Sequence, residues 1–463
     1  MPLPKPEGAQ RDVLALPPEG HTIVLGSAGS GKTTLAILRA ANLSDTHTDH
    51  GGRTLLLTFN RALVSYLKSY SEGALSNVSV EHYHRFARGY LNSRGQLPYG
   101  CILEWRQRPG LVRAAIAAVR TRRPGAAVLQ QPWQFLDDEI RYLQRLGVGS
   151  ADEYLGMTRT GRKSGLEAED RTAAWEVLEE YLGLRRARGR LYDWDDLACK
   201  VVEELGQDDG PRMYRHVVVD EGQDFSPQML RSIALAVPDD GSVSLFGDIA
   251  QQIYGRGHSW RSAGLSTAKV WEFRDNFRNS VQIARLALAM SSMPYFQGIE
   301  DLVPPRMPKP DGPLPTVVTF GDRAVESRFV LDQVIQAAKV QKVAILFREW
   351  SDARRFWRQP PRQSVRLDKS LPYWPTGPQL FYGTYHGGKG LEFDTVYLPF
   401  CDADRLPDPR WAADRPDEDA DNQFGSLLYV AVTRARQGLV ISHSSTLTRL
   451  FPADRELYNW VDR

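Results

Sequence analysis

The chain lacks long hydrophobic runs, contains few cysteines and carries almost no net charge. None of its apolar stretches approaches the roughly 18 residues of a membrane span, and the N-terminal MPLPKPEGAQ has no apolar core typical of a secretory signal. The three cysteines, Cys101, Cys199 and Cys401, form no CxxC pair, so we expect neither a zinc site nor an iron–sulfur cluster. We therefore expect a protein with no membrane partner in a reducing, cytoplasmic compartment.

The charge balance gives no electrostatic indication of a nucleic-acid partner. The chain has 58 basic and 56 acidic residues, for a formal net charge of +2. Lysine supplies only 11 of the basic residues. The arginine excess suits phosphate recognition, although a coding bias would produce the same excess. Hydrophobic residues at 42% and charged residues at 25% are ordinary globular values, and 463 residues predict two to four domains.

Short apolar runs rich in β-branched residues alternate with helical patterns along most of the chain. The runs cover residues 21–25, 54–59, 216–219, 243–246, 316–320, 343–347, 395–400 and 439–442. This alternation predicts an α/β class, in which parallel sheets are flanked by crossover helices. Residues 90–200 contain helical patterns and no convincing strand, so we interpret them as a helical insertion. Proline-rich stretches at 302–315 and 359–378 predict extended segments.

A glycine-rich loop follows the first apolar run and precedes a helical pattern. Residues 26–33, GSAGSGKT, match GxxxxGK[ST], a pattern whose backbone N–H groups surround phosphate oxygens. Lys32 is expected to reach the outer phosphates and the Thr33 hydroxyl to ligate Mg²⁺. The predicted nucleotide-binding residues here are Gly26, Ser27, Ala28, Gly29, Ser30, Gly31, Lys32, Thr33 and Thr34.

Two carboxylates end the apolar run at 216–219. Ligands in α/β sheets bind at the carboxyl ends of strands, so Asp220 and Glu221 are placed for chemistry. We expect Asp220 to hold Mg²⁺ and Glu221 to act as general base for an attacking water. An apolar run ending in Asp-Glu is weak evidence alone, and the phosphate loop strengthens it.

These residues resemble superfamily 1A DNA helicases of the UvrD/Rep/PcrA group. Residues 220–224, DEGQD, resemble the family's DExQD element, and the other motifs follow in the family's order. They lie around Gln10 (Q motif) and at 58–62 (TFNRA), 82–86 (HYHRF), 192–197 (YDWDDL), 247–254 (GDIAQQIY), 275–280 (DNFRNS, resembling NYRS), 343–348 (VAILFR, resembling the AILxR strand), 384–393 (TYHGGKGLEF) and 428–435 (LYVAVTRA).

The resemblance implies two RecA-like P-loop NTPase domains, each a parallel sheet with flanking helices, with ATP and Mg²⁺ bound between them. It assigns Gln10 and Phe277 to adenine, Gln251, Arg278 and Arg434 to the γ-phosphate, and Glu392 to a bridge between nucleotide and DNA. Phe277 replaces the family's tyrosine and keeps the stacking ring. We place Arg434 late in a helix spanning 424–436. Together with Glu221 and Lys32, the residues Gln251, Arg278 and Arg434 form the predicted catalytic set.

The resemblance also implies a track for single-stranded DNA across both domains. Predicted DNA-contacting residues are Phe59, Asn60, His84, Tyr254, Arg256, Trp260, Thr384 and His386. The family has an aromatic residue where Arg256 stands. Either Arg256 stacks through its guanidinium plane, or Trp260 stacks from a shifted loop, or Trp260 belongs to the core. Arginines at 106–123 and 354–366 line the track or are a solvated face.

The motif spacing predicts the domain boundaries. Residues 1–90 and 201–278 form motor domain 1A, residues 91–200 the helical insertion 1B, and residues 279–463 motor domain 2A. Between Arg278 and Thr384 there is too little chain for the family's 2B insertion, so we expect it to be absent or reduced to a loop near 359–378. The predicted function is ATP-dependent 3′→5′ translocation and unwinding of tailed duplex DNA. The alternatives are a DNA-stimulated ATPase switch, or a helicase subunit of a larger repair or antiphage (Gabija-like) complex.

Overall fold

A computed structural model describes most of the chain. The described residues are 6, 9–27, 29–59, 61–71, 77–159, 165–248, 260–265, 267, 269–273, 276, 278–296, 311–357, 359–368, 371, 374–375, 377–409 and 417–463. None of the helices within these ranges is both long and apolar enough to cross a membrane.

The strands form two parallel sheets, which confirms the predicted α/β class. The strands are β1 (Gly20–Gly26), β2 (Thr54–Thr58), β3 (Val78–His82), β4 (His216–Val219), β5 (Ser242–Gly247), β6 (Val270–Phe273), β7 (Thr316–Thr319), β8 (Lys342–Phe347), β9 (Val365–Arg366), β10 (Gln379–Thr384), β11 (Phe393–Leu398), β12 (Ala435–His443) and β13 (Asn459–Asp462). The first sheet has the order β3-β2-β4-β5-β1-β6 and the second β13-β7-β12-β11-β8-β10-β9. The near-continuous apolar strands are buried by helices, as parallel sheets require.

The helices fill the crossovers between strands. They are α1 (Ala9–Leu14), α2 (Lys32–Leu43), α3 (Arg61–Ser71), α4 (Tyr83–Ser93), α5 (Arg108–Arg122), α6 (Trp133–Leu146), α7 (Ala151–Gly156), α8 (Ala168–Ala187), α9 (Leu197–Gly206), α10 (Pro227–Leu235), α11 (Val281–Ser291), α12 (Arg323–Ala337), α13 (Trp350–Phe356) and α14 (Asp417–Val432). One apolar core extends from α2 of the first unit to α14 of the second, so the two units share buried contacts.

Helices α5 to α8 lie between α4 and α9 and have a core of their own, which includes Leu111, Leu143 and Leu178. The chain leaves and re-enters the first unit through two adjacent segments. Leu103 N–H donates to the Tyr192 carbonyl at 2.7 Å, and Tyr192 N–H donates to Cys101 at 3.1 Å. The described residues between 90 and 200 are therefore helical in character, as predicted, and a single bridge joins Ile102 to Tyr192 among them.

The sheet geometry determines where side chains meet. All strand pairings are parallel, so the residues that follow β1, β2, β3 and β4 share the carboxyl edge of the first sheet. In the second sheet, Glu392 and Arg434 directly precede β11 and β12 and lie at its amino edge. Contacts between these two edges create the cleft that contains the candidate site.

Candidate active site

The phosphate loop connects β1 to α2 through left-handed glycines. Gly29 has φ +80° and Gly31 has φ +83°, a conformation that residues with a Cβ rarely adopt. The first intrahelical bond of α2 runs from Leu35 N–H to the Gly31 carbonyl. The N–H groups of Lys32, Thr33 and Thr34 therefore open the helix without intrahelical acceptors, as an anion site requires.

Lys32 points back into this loop. Its ammonium donates to the carbonyls of Gly26 at 2.8 Å and Ser27 at 2.6 Å, and it lies 3.7 Å from the Asp248 carboxylate. Burial lowers the pKa of Lys32, with Asp248 opposing that change. The charge is thus held where phosphates would approach. Ala28 lies outside the described residues.

Gln10 contacts the same loop, since its Nε2 donates to the Ser30 carbonyl at 3.1 Å. A Cβ on Gly31 would lie 3.1 Å from that amide. The structure therefore brings Gln10 to the phosphate loop. Phe277, its predicted partner on adenine, lies outside the described residues.

Asp220 and Thr33 provide oxygen ligands suited to a divalent cation. Asp220 is 1% exposed, and the Thr33 side chain hydrogen-bonds to its carboxylate. Oδ2 of Asp220 has no hydrogen-bond partner among the described groups. Burial, followed by the charge of Glu221, raises the pKa of Asp220, so a cation would relieve both effects. No cluster of three or more His, Cys, Asp or Glu side chains in the described part of the chain could hold a metal, and this smaller set fits Mg²⁺, which keeps water and phosphate ligands.

Glu221 occupies a strained backbone position beside this pair. Its φ is +57°, in the left-handed region, and such strain often accompanies a functional constraint. Gln223 Nε2 donates to Glu221 Oε2 at 2.5 Å, while Gln223 Oε1 accepts from Asp248 N–H at 2.8 Å. Burial opposes ionisation of Glu221, but nearby cations, Lys389 first, outweigh it and lower its pKa. The carboxylate is therefore ionised, as a general base must be.

Arg278 and Arg434 reach the cleft together with Glu392. Arg278 Nε and Nη2 donate to Glu392 Oε1 at 2.7 and 2.6 Å. Arg434 is 1% exposed, and burial, followed by repulsion from Arg278, lowers its pKa to about 10. Arg278 is thus paired with Glu392, and a triphosphate bound beside Arg434 would add further negative charge to this site. Gln251 lies outside the described residues.

Arg434 does not lie on a helix, so the predicted helix over 424–436 is wrong at its end. Helix α14 ends at Val432 and β12 begins at Ala435. Arg434 Nε and the Thr433 hydroxyl both donate to the Val430 carbonyl, at 2.9 and 3.0 Å. These side-chain bonds take the carbonyl that would continue the helix, so the chain turns there.

Lys389 crosses the cleft, and the sequence pattern gave it no role. Its ammonium lies 2.5 Å from Asp224 Oδ1, and both side chains are at most 3% exposed. The neighbouring Gly390 has φ +77°, and a Cβ there would lie 3.4 Å from Glu221 Oε1. The segment that follows β10 therefore packs against the Glu221 carboxylate. The position of this lysine within the motif at 384–393 is the sequence signal that could have identified it as part of the site.

Aromatic side chains cluster where β2 and β3 end. The ring centroid of Phe59 lies 5.8 Å from that of His84 and 6.1 Å from that of Phe225. His84 lies 5.1 Å from the ring of Trp194 and its Nε2 is 3.2 Å from the Trp194 carbonyl. Trp194, which the sequence reasoning gave no role, therefore extends the Phe59–His84 surface. Asn60, Tyr254 and Arg256 lie outside the described residues.

The structure contradicts the prediction that Trp260 stacks on DNA. Trp260 is 6% exposed and belongs to the core beneath the first sheet, with Ile233 and Leu265. A ring enclosed in this way has no face available to a base, so the alternative that Trp260 packs in the core is the one the structure supports.

Thr384 and His386 lie at the carboxyl end of β10. The Thr384 hydroxyl accepts from Gly387 N–H at 3.2 Å, so it shapes the turn. Burial, followed by the charge of Lys389, lowers the pKa of His386 to about 4. His386 is therefore neutral at physiological pH, and a phosphate would meet a hydrogen-bonding group there.

The arginines of the helical insertion do not form one exposed basic stripe. Arg108 is 3% exposed and pairs with Asp137 at 2.6 Å and Asp193 at 2.7 Å. Arg122 and Arg123 pair with Glu180 and Glu176. Much of the positive charge predicted to follow DNA is thus neutralised within the insertion.

Comparisons with known proteins give the family. Residues 7–274 match the UvrD/REP helicase N-terminal domain, and residues 375–446 match the UvrD-like helicase C-terminal domain. No curated protein matches the chain. Among solved structures, the C-terminal domain of a possible DNA helicase from Lactobacillus plantarum WCFS1 is 19% identical, over 40% of this chain and 98% of that chain, with a TM-score of 0.28; this likeness adds nothing to the assignment. Because the N-terminal family model alone covers more than half of the chain and surrounds the phosphate loop and the Asp220–Glu221 pair, the chain belongs to the UvrD-like superfamily 1 helicases.

Proposed function

We propose that this helicase is an ATP-driven motor that moves 3′→5′ on single-stranded DNA and unwinds tailed duplexes. The observation that carries the proposal is the convergence of both units on one cleft. The first unit contributes Lys32 and Glu221, and the second contributes Glu392 and Arg434. A nucleotide bound there would contact both units, so its hydrolysis would alter how they pack. The direction of movement is the one that the resemblance implies.

In the proposed reaction Glu221 accepts a proton from the water that attacks the γ-phosphorus. The bond between the γ-phosphorus and the bridging oxygen breaks, which releases ADP and phosphate. Lys32, Arg278 and Arg434 face the charge that develops on the phosphate oxygens. Thr33 and Asp220 would hold Mg²⁺, which when bound neutralises charge on the phosphates. Gln251 and Phe277 keep their proposed roles toward the γ-phosphate and adenine.

The proposed DNA track begins at the aromatic cluster. Stacking on aromatic faces holds bases without reading sequence, and Phe59, His84 and Trp194 lie together at the carboxyl edge of the first sheet. Thr384 and His386 would continue the track on the second sheet. We keep Asn60, Tyr254 and Arg256 as proposed contacts.

We further propose the boundaries 1–90 with 201–278 for domain 1A, 91–200 for 1B and 279–463 for 2A, with 2B absent or reduced near 359–378. In the described part of residues 279–384, the elements are α11, β7, α12, β8, α13, β9 and β10, apart from a short 3₁₀ turn at Pro294–Phe296. The strands belong to the second sheet. This compactness favours a second candidate function, a DNA-stimulated ATPase switch or a subunit of a larger repair or antiphage complex.

The proposal is tested by ATP hydrolysis with and without single-stranded DNA. We expect DNA to stimulate the wild type, and we expect Lys32→Ala and Glu221→Gln each to reduce the stimulated kcat by about 100-fold or more, because each removes a group that acts on the transition state. Glu221→Gln should still bind nucleotide.

Glu203→Gln and Lys339→Ala are matched controls, since both residues are on the surface, where Glu203 pairs with Lys200 and Lys339 bonds Gln336. Both should hydrolyse ATP like the wild type. Hydrolysis that DNA does not stimulate, or that survives Glu221→Gln, would contradict the proposal.

A further inference from the structure

The residues that connect the first sheet to the second unit include two buried asparagines. Strand β6 ends at Phe273 and α11 begins at Val281. Between them, Asn276 is 4% exposed and Asn279 is fully buried. A buried amide needs partners for its donors and acceptor, and these two asparagines find theirs in both units.

Asn279 binds the backbone on both sides of Arg434. Its Nδ2 donates to the carbonyl of Thr433 at 3.2 Å and to that of Ala435 at 2.5 Å. The Arg434 carbonyl accepts from Phe393 N–H at 3.1 Å, and the Arg436 carbonyl from Ser280 N–H at 2.8 Å. Every carbonyl from Thr433 to Arg436 is therefore taken by the connecting segment or by β11, so the backbone that carries Arg434 has little freedom to shift.

Asn276 ties this arrangement to Arg278 and to the phosphate loop. Its Oδ1 accepts from the N–H groups of Arg278 at 3.0 Å and Asn279 at 3.1 Å, and its Nδ2 donates to Asn279 Oδ1 at 2.8 Å. A Cβ on Gly29 would lie 2.2 Å from Asn276 Oδ1. The phosphate loop thus packs directly against the asparagine pair.

We infer that Asn276 and Asn279 are positioning residues that fix Arg278 and Arg434 relative to the phosphate loop. The inference rests on the proposed ATPase function. Asn279 acts through Arg434, because its amide holds the two carbonyls that flank this residue. Asn276 acts through the Arg278 backbone and through Asn279. Both arginines then approach the γ-phosphate from fixed positions, and reacting groups misplaced by about 1 Å can lose on the order of 100-fold in rate.

Asn279 is a departure from the NYRS motif that residues 276–279 resemble, in which serine takes this position. The amide nitrogen of asparagine has two donor hydrogens, whereas the serine hydroxyl has one and the serine side chain is shorter. Serine therefore could not bind both the Thr433 and Ala435 carbonyls. Asn279→Ser is therefore the variant that removes the double bridge with the smallest change.

The test compares Asn279→Ala and Asn279→Ser with Gln282→Ala. Gln282 lies on α11 and bonds Asp311 and Gly312, so Gln282→Ala removes a nearby amide that does not contact the Arg434 backbone. Steady-state hydrolysis with saturating single-stranded DNA gives kcat and the KM for ATP. A fluorescent ADP, with and without aluminium fluoride, gives affinities for the product and for a transition-state mimic. Thermal unfolding verifies that each variant is folded.

We expect Asn279→Ala to lower kcat by roughly tenfold or more, with a KM change below about threefold, because Arg434 acts mainly on the transition state. Asn279→Ala should bind ADP like the wild type and the aluminium fluoride complex at least about tenfold more weakly. Asn279→Ser should show a smaller reduction in kcat and in affinity for the aluminium fluoride complex, and Gln282→Ala should match the wild type in both. If Asn279→Ala does not fold, Asn279→Ser is the deciding variant.

Unchanged kcat in folded Asn279→Ala, or equal weakening of the ADP and aluminium fluoride complexes, would overturn the positioning role. This failure is distinct from failure of the proposed function, in which the wild type itself would show no DNA-stimulated hydrolysis or Arg434→Ala would remain fully active.

Discussion

Lys389 shows how one residue can serve both stability and chemistry. Its ion pair with Asp224 is buried and joins the two units, and it contributes most among the cations that keep Glu221 ionised. A buried pair adds little stability when intact, yet breaking it leaves an uncompensated charge. Lys389 therefore contributes to both stability and the site, although lysine is a residue type that is usually exposed.

We predict that Lys389→Ala destabilises the protein more at pH 8 than at pH 5. Burial raises the pKa of Asp224 to about 6 even with Lys389 opposing the change, whereas the unfolded value is about 3.9. The folded state then binds more protons than the unfolded state between these values, so stability falls as pH rises through this window. Without Lys389 the pKa of Asp224 in the folded state rises further. The free energy of unfolding at pH 8 should therefore fall by about 3–5 kcal/mol.

Urea unfolding midpoints at both pH values measure this effect. Lys339→Ala, which removes a surface lysine at the end of α12, should show no pH-dependent loss. A Lys389→Ala deficit that is the same at pH 5 and pH 8 would contradict the explanation based on Asp224.

At the scale of elements, the root of the helical insertion is held by a buried ionic network. Asp193 accepts from Arg108 at 2.7 Å, from Arg185 at 2.9 Å and from the Tyr181 hydroxyl at 2.6 Å. These partners come from α5 and α8, while Asp193 directly precedes Trp194 in the segment that returns to α9. The acidic 192–197 motif therefore fixes the orientation of the insertion and, through the backbone, the position of Trp194.

We predict that Asp193→Ala loosens the insertion before the rest of the protein. It would leave the buried guanidiniums of Arg108 and Arg185 short of a carboxylate, at a cost of about 3–5 kcal/mol. Hydrogen exchange should accelerate in α5 and α8 and stay near the wild-type rate in β1 and β5. Glu180→Ala is the control, since it breaks only an exposed pair with Arg122 and should cost less than about 1 kcal/mol.

At the scale of the whole molecule, the amino edge of the second sheet faces the carboxyl edge of the first. Arg278–Glu392 and Lys389–Asp224 both bridge these edges. A nucleotide that enters this cleft would compete for the same cations, so its binding and loss would change the packing of the two units. This coupling is what a translocating motor needs.

We predict strand displacement on duplexes with a 3′ single-stranded tail and little on 5′-tailed or blunt duplexes. The expected polarity follows the family resemblance, and ATP with Mg²⁺ should be required. Lys32→Ala, which cannot hydrolyse ATP in this proposal, is the control. Preference for the 5′ tail would contradict the proposed direction, and DNA-stimulated hydrolysis without displacement would favour the switch or subunit alternative.

The sequence by itself determined the class of fold, the phosphate loop, the carboxylate pair and the family. These are local patterns, since a strand, a turn and a helix start are read from neighbouring residues such as Gly31, Lys32 and Thr33. The helical patterns within residues 90–200 are local signals of the same kind, because apolar residues recur at the helical period in helices such as α6.

Only the tertiary structure decided which distant residues meet. The Lys389–Asp224 pair and the bonds from Asn279 to Thr433 and Ala435 join chain segments more than 100 residues apart, and the burial of Trp260 depends on packing around its ring. Composition and periodicity do not predict such contacts. A charged or amide side chain is expected on the surface, and only the folded structure shows that it is buried with a partner.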